Sequence, residues 1–258
     1  MPTTLIVLAH PDRRSFNGAW SDATEAAALA QGDTVLRSDL CQMGFDPVER
    51  AAHYGDWPED TPFDPLKAQE RAADAGSTPK DVGAEVDKIK QADRMVLHFP
   101  LWWFAPPAIL KGWFDRASQH GALHDVDARF DRGMCRGKQA LMCVTTGSNA
   151  AESAYNGKEG DIRLLLWPAA YTLRYLGFDV LEPVVVHGVH GYHRGDRETQ
   201  LVNRLTAALG AQTDIMAGFS TRPRLRFNRD DDFDGTGQLR SDRASITPFI
   251  RHRAAFDE

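Results

Sequence analysis

The chain has 258 residues, a mass of 28.7 kDa and a formal net charge of −6 at pH 7. With 42% hydrophobic and 26% charged residues, it can bury a large core in one domain, as a globular protein does. The basic residues are scattered, which argues against a nucleic-acid surface and against binding to anionic membranes. Three cysteines without CxxC spacing and an N-terminus without a signal sequence predict a cytoplasmic protein with no membrane insertion.

The first 38 residues predict two strands with a helix between them. Residues 5–9 form a continuous apolar run, which is typical of a central parallel strand covered on both faces. Ser15 can cap the alanine-rich helix that runs to about Gln31, and residues 34–38 predict a more peripheral strand. The backbone N–H groups at the start of this helix would face an anion.

Residues 44–80 are rich in loops, with prolines at 47, 58, 62, 65 and 79, and we assign no sheet strand to them. So long a segment is uncommon inside a compact domain, and we expect it to pack over the fold or to reach a neighbouring molecule. Val82, Val86 and Ile89 recur at helical spacing. They predict a helix over residues 81–91, which leads into a buried strand over residues 95–99.

Residues 100–104, the aromatic turn, follow that strand: Pro100, Leu101, Trp102, Trp103 and Phe104. Proline ends the strand because it cannot donate to the ladder, and a helix begins near Pro107 and continues to Arg116. Taken alone, the aromatic side chains could be a corner of the core. In open parallel sheets, however, ligands bind just beyond the carboxyl ends of strands, and this composition suits a flat aromatic ligand such as isoalloxazine.

The second half of the chain continues the alternation of strands and helices. We expect residues 121–137 to be irregular and residues 139–144 to form a strand. A helix over residues 162–176 ends at Gly177, a fifth strand begins over residues 178–183 and can extend to residue 186, and a closing helix covers residues 198–209. The pattern predicts an α/β fold with a doubly wound, five-stranded parallel sheet of order 2-1-3-4-5.

Residues 222–258 differ in character from the domain that we assign to residues 1–221. Residues 228–235 are acidic and turn-like, so we predict an extended C-terminal tail that packs on the domain or on a dimer. These acidic residues lack the glutamate that closes a calcium loop, since Ser241 stands at its position. His187, His190 and His193 match no known zinc pattern, and we predict no metal site.

Four ordered segments carry a resemblance to a known family: residues 5–17, 97–116, 145–147 and 165–183. They are similar to the flavodoxin-like NAD(P)H:quinone oxidoreductases of the DT-diaphorase type and their bacterial relatives, over roughly the first 210 residues. The resemblance implies a flavodoxin-like fold and an enzyme that transfers hydride from NAD(P)H through bound FAD to a quinone or similar aromatic acceptor. It also implies a homodimer with its active site at the subunit boundary.

The resemblance further implies where the cofactor binds. The loop after the first strand would hold the pyrophosphate of FAD, which we favour over FMN, and Arg197 would lie near the adenosine half. In the turn after the fourth strand, short hydroxyls and a glycine let backbone N–H groups approach the flavin ring. The predicted cofactor-binding residues are His10, Ser15, Phe16, Asn17, Pro100, Leu101, Trp102, Trp103, Phe104, Thr145, Thr146, Gly147, Ser148, Tyr155 and Arg197. The predicted catalytic residues are Tyr155, Gly147 and His124.

The chain departs from the family pattern in two places. Counting back from Gly160, Glu159 stands where the family has a catalytic histidine, and Tyr155 comes two residues late. We expect Glu159 to turn outward, because a carboxylate repels the negative charge that a flavin gains on reduction, and Tyr155 to serve instead. His124 and Val126 replace aromatic residues that usually cover the substrate from the partner subunit, which predicts an altered acceptor pocket.

Two other functions of the same fold stay open at the level of sequence. One is a non-catalytic or regulatory flavin-binding subunit that resembles the ancillary subunits of potassium efflux systems, since the family histidine is missing. The other is an FMN azo- or nitroreductase, which would lack contacts to adenosine.

Overall fold

Six parallel strands form one sheet in the computed structural model, which describes residues 1–252. The strands are β1 (Thr3–Leu8), β2 (Thr34–Asp39), β3 (Arg94–Pro100), β4 (Gln139–Thr145), β5 (Asp179–Val180) and β6 (Val184–Val186). The helices are α1 (Phe16–Ala30), α2 (Pro65–Ala75), α3 (Lys80–Gln91), α4 (Ala108–Ala117), α5 (Ile162–Leu165), α6 (Trp167–Leu176) and α7 (Asp196–Ala217). The predicted strand order 2-1-3-4-5 is confirmed.

The prediction of one continuous fifth strand is wrong in one respect. The segment is split into β5 and β6, which both pair with β4. Leu181 N still donates to Ala140 O at 2.8 Å, but Glu182 N donates to Pro223 O of the tail at 2.8 Å. Pro183 has no N–H to offer the ladder. The ladder is therefore interrupted where the tail approaches the sheet.

Two helical segments also differ from the prediction. The helix expected over residues 162–176 is broken at Leu166, because Pro168 is tolerated only in the first turn of a helix and begins α6 as a separate segment. The loop-rich stretch of residues 44–80 contains no sheet strand, as predicted, but it does contain α2. Asp64 caps α2 by accepting a hydrogen bond from Lys67 N at 3.2 Å, and Gly76 ends it in a left-handed conformation.

The helices cover both faces of the sheet. On one face α1 and α7 pack together, and Trp20 Nε1 of α1 donates to Gln212 Oε1 of α7 at 2.8 Å. On the other face lie α3, α4 and α6, where Trp113 Nε1 donates to the buried Glu85 Oε2 at 2.8 Å. No helix within residues 1–252 is long and apolar enough to cross a bilayer.

The tail runs back over the fold as far as the structure describes it. Leu225 N donates to Val180 O at 2.8 Å, and Phe249 stacks on Trp167 with ring centroids 4.8 Å apart. The predicted tail continues to residue 258, and its residues 253–258 lie outside the described residues. The domain boundary at residue 221 stays a prediction.

We expect the Gly112→Ala substitution to destabilise the fold. A Cβ atom at Gly112 in α4 would lie 2.1 Å from Pro47 O, so the helix and the segment of residues 44–64 must separate. Overpacking of this kind costs about 1–3 kcal/mol, and each kcal/mol lowers Tm by about 2–4 °C at this chain length. Thermal unfolding measures the change. Gly210→Ala in α7 is the matched control, because nothing lies within 4 Å of its new methyl group, and its Tm should be unchanged or higher.

Candidate active site

The carboxyl ends of β3 and β4 meet at one edge of the sheet. Pro100 pairs with Thr145, and Leu101 N donates to Thr145 O at 2.8 Å. The aromatic turn and the loop that begins at Thr146 therefore leave the sheet side by side. This is the edge at which open parallel sheets bind their ligands.

The aromatic turn folds back on itself in an uncommon backbone conformation. Trp102 N donates to Ala105 O at 2.9 Å and Ala105 N donates to Trp102 O at 3.1 Å. Between them, Trp103 and Phe104 have φ angles of 51° and 63°, which is the pattern of a type I′ turn. This region favours glycine, and each such residue costs about 1–3 kcal/mol. Two aromatic residues in these positions point to a functional constraint.

The side chains of this turn are exposed, so the turn is not a corner of the core. Trp103 is 94% exposed, Phe104 52% and Trp102 45%. In the described chain, the N–H groups of Trp103 and Phe104 find no hydrogen-bond acceptor. The turn thus presents an aromatic surface together with two free donors.

A cavity of about 440 Å³ opens beside the aromatic turn. Its walls include Leu101, Trp103 and Phe104 on one side and residues 146–148 on another, with Glu152 and Glu159 closing it. Gly147 and Ser148 also have backbone N–H groups without an acceptor among residues 1–252. The loop that holds them is fixed by the next strand end, because Gly188 N donates to Ser148 O at 2.9 Å and Val189 N to Thr146 O at 2.8 Å.

The loop after β1 and the start of α1 contact two residues that adjoin the cavity wall in sequence, Trp102 and Thr145. Asn17 Nδ2 donates to Thr145 Oγ1 at 3.0 Å, and the ring of His10 lies 5.8 Å from that of Trp102. Ser15 caps α1 by accepting from Gly18 N at 3.2 Å, as predicted from the sequence. The close turn requires Gly18, because a Cβ atom there would lie 1.9 Å from Arg13 O.

This loop also offers unused polar groups. The N–H groups of Phe16 and Asn17 lack acceptors within the described part of the chain, and the buried Asn17 Oδ1 has no partner there either. Free N–H groups at the first turn of a 15-residue helix, aligned with its dipole, suit an anion such as a phosphate.

A second cavity of about 550 Å³ shares Gly147 and Glu152 with the first. Its other walls include His187, His190, His193 and Arg204. The rings of His190 and His193 stack with centroids 4.0 Å apart. Burial lowers the pKa of both His187 and His190, and for His190 the neighbouring His193 lowers the pKa further.

Tyr155 and Glu159 are placed the other way round from the prediction that Tyr155 serves in the site and Glu159 turns outward. Glu159 lines the first cavity, whereas Tyr155 does not line it and is 85% exposed. The expectation that Glu159 turns outward is wrong. The reason is local: Glu159 N donates to Glu152 O at 3.0 Å, which folds the loop so that Ser153 is buried beside Glu159 while Tyr155 and Asn156 are exposed.

Two other predicted residues are not brought to this cavity. Arg197 is exposed in the first turn of α7, and its side chain makes no hydrogen bond or ion pair to other residues of the 1–252 range. His124 lines a separate cavity of about 660 Å³ together with Trp167, Tyr171 and Tyr175. Burial lowers the pKa of His124, and the nearby His120 lowers that pKa further.

Glu152 is a cavity residue that the sequence analysis missed. Asn149 N donates to Glu152 Oε2 at 3.1 Å and Glu152 N donates to Asn149 Oδ1 at 3.0 Å. This reciprocal pair has the form of a capping box with asparagine in first position. The spacing of Asn149 and Glu152 was therefore a readable signal for a tight turn over the cavity.

Comparison with known proteins agrees with this geometry. Residues 2–209 match a family model described as flavodoxin-like fold. The chain is 36% identical to NAD(P)H dehydrogenase (quinone) 1 of Rattus norvegicus over 77% of this chain and 73% of the relative. It is 38% identical to the ribosyldihydronicotinamide dehydrogenase (quinone) of Homo sapiens over 70% of this chain and 79% of that protein.

A solved structure also shows similarity to a quinone reductase. A protein from Klebsiella pneumoniae, provisionally assigned as a quinone reductase, superposes with a TM-score of 0.82 at 29% identity and covers 93% of this chain and 94% of its own. The chain belongs to the family with the flavodoxin-like fold. Within that fold it is a member of the NAD(P)H:quinone oxidoreductase family, and both the predicted fold class and the predicted resemblance are confirmed.

We expect Trp103→Ala to weaken flavin binding without destabilising the fold, because the side chain is exposed and faces the cavity. Loss of an aromatic contact and its buried area should raise the flavin Kd at least about tenfold, which corresponds to about 1.4 kcal/mol. Flavin absorbance per mole of purified protein and a titration with added flavin measure this. Phe249→Ala, which removes an exposed aromatic ring from outside this cavity and the second one, is the control. Full flavin content in Trp103→Ala would contradict the assignment.

Proposed function

We propose that this protein is an NAD(P)H dehydrogenase (quinone) that binds FAD in the cavity beside the aromatic turn. One observation carries the proposal: exposed aromatic side chains and a strained turn stand at the ligand-binding edge of the sheet. A flat aromatic cofactor accounts for both features, since it would cover the rings and use the free N–H groups. The names of the relatives supply the reaction class.

The residues present fit a flavin dinucleotide. Trp103 and Phe104 would contact the ring system, while the free N–H groups of Gly147 and Ser148 would face its polar edge. The N–H groups at the start of α1, after the cap Ser15, would bind the pyrophosphate. The second cavity adjoins the first at Gly147, and this additional space favours FAD over FMN.

The overall reaction consumes NAD(P)H, a proton and a quinone and yields NAD(P)⁺ and the hydroquinone. A flavin held beside Trp103 and Phe104 would supply the chemistry for hydride transfer from NAD(P)H and for reduction of the quinone. The protein's part is to hold the reactants at the aromatic turn and to stabilise developing negative charge with the N–H groups near Gly147. We do not assign Tyr155 a part in this chemistry, because it is exposed to solvent away from the cavity.

We expect the purified protein to be yellow, to bleach with NADPH under anaerobic conditions and to regain its colour when a quinone is added. Mass spectrometry of the cofactor released by heat should give FAD. A released mass of FMN would contradict the cofactor assignment alone, whereas a flavin that NADPH and NADH both fail to bleach would contradict the dehydrogenase.

We further propose that the active protein is a homodimer and that the partner covers the cavity lined by His124. Trp167, Tyr171 and Tyr175 give that cavity an aromatic wall, and Val126 beside it in sequence is 71% exposed. Apolar surface of this kind, open to solvent, is typical of an interface.

Sedimentation should therefore give about twice the chain mass of 28.7 kDa. Val126→Glu should shift the protein toward monomer, because it places a charge at the proposed interface. Val202→Glu on α7, which is also exposed but lies outside that cavity, is the control. A monomeric wild-type protein that oxidises NADPH at full rate would rule out the dimer as the active form.

A further inference from the structure

The cavity beside the aromatic turn has an uneven charge. Two acidic residues, Glu152 and Glu159, line it, and no Lys, Arg or His of residues 1–252 does so. Arg204 lines the second cavity and not this one. A molecule that enters beside the aromatic turn therefore meets negative charge and aromatic rings.

The two glutamates differ in whether a neighbouring group balances the negative charge of the carboxylate. Glu152 Oε1 lies 3.0 Å from Lys158 Nζ, and its Oε2 accepts from Asn149 N at 3.1 Å. Lys158 itself is largely in solvent, with 73% of its side chain exposed. The Glu159 carboxylate has neither a hydrogen bond nor an ion pair with any part of the chain that the structure describes. Glu159 is thus the uncompensated charge of the cavity wall.

We propose that Glu159 sets the charge class of the electron acceptor, so that the site favours cationic and neutral planar aromatic molecules and disfavours anionic ones. This inference rests on the proposed function, since it takes the part of the cavity that bound FAD would leave open, at the wall formed by Glu159, as the place where the acceptor binds. The physical reason is that opposite charges a few ångströms apart in a half-buried, aromatic-walled cavity attract more strongly than they do in water.

The test compares three naphthoquinones on the holoprotein: 1,4-naphthoquinone, its 2-sulfonate and a derivative with a trimethylammonium-methyl group. The measured quantity is kcat/KM for the cation divided by kcat/KM for the sulfonate. Comparing this ratio between wild type and Glu159→Gln cancels the intrinsic reactivity of each quinone. We expect the ratio to fall about tenfold in Glu159→Gln, mainly through KM, and the wild-type ratio to fall as salt is raised.

Glu59→Gln is the matched control, because it removes the same charge from an exposed loop outside the cavity and should leave the ratio unchanged. A direct binding measurement accompanies the kinetics. Quenching of tryptophan fluorescence by a naphthalene trimethylammonium and by a naphthalene sulfonate gives their Kd values for the oxidised holoprotein. We expect the cation to bind more tightly in wild type and to lose that preference in Glu159→Gln.

The outcomes separate the two proposals. If the neutral quinone is reduced while the cation-to-sulfonate ratio is the same within twofold in wild type and Glu159→Gln, the inference about Glu159 is overturned and the proposed function stands. If no quinone is reduced, the proposed function fails, and the fluorescence titration still decides whether Glu159 selects ligands by charge. An equal change in Glu59→Gln would assign the effect to net charge and would also overturn the inference.

Discussion

The register between β3 and β4 determines where the site forms. Because Pro100 pairs with Thr145, both strands end at one level, and the chain after each must leave the sheet at the same edge. After Pro100, Leu101 N still donates to Thr145 O, but Trp102 N donates to Ala105 O within the turn, so the aromatic residues leave the ladder and stay outside the core. The loop after β1 reaches the same place through the hydrogen bond from Asn17 to Thr145. Three loops far apart in sequence thus meet through the geometry of a parallel sheet.

The aromatic turn is held in its conformation before any ligand binds. The paired hydrogen bonds between Trp102 and Ala105 close the turn, and the two prolines at positions 106 and 107 restrict the chain that follows. The left-handed backbone at Trp103 and Phe104 costs conformational free energy. The burial of the surrounding sheet and helices offsets this cost when the protein folds. A ligand that binds to a turn fixed in this way loses less free energy to ordering the protein.

The sequence predicted those parts of the fold and site that depend on local chemistry. Apolar runs located the central strands, the serine at position 15 located the start of α1, and the order of strands followed from their alternation with helices. The split of the last strand was not predictable, because it depends on Glu182 N pairing with Pro223 more than 40 residues away. The helix α2 was missed because its prolines suggested a loop, although Pro65 stands in the first turn, where proline is tolerated.

The placement of Glu159 in the cavity wall agrees with its family position, whereas the expectation from charge alone, that Glu159 turns outward, is wrong. Its orientation follows from hydrogen bonds inside its own loop, between Glu159 N and Glu152 O and between Glu152 and Asn149, and not from the sheet. The floor of the cavity is set by the sheet and by the strained turn, which the fold keeps constant. The wall is set by a loop whose turns depend on a few polar side chains, and such a loop can change without cost to the core. Under the proposed function, flavin binding would depend on the floor and the choice of acceptor on the wall, so that a change in one need not disturb the other.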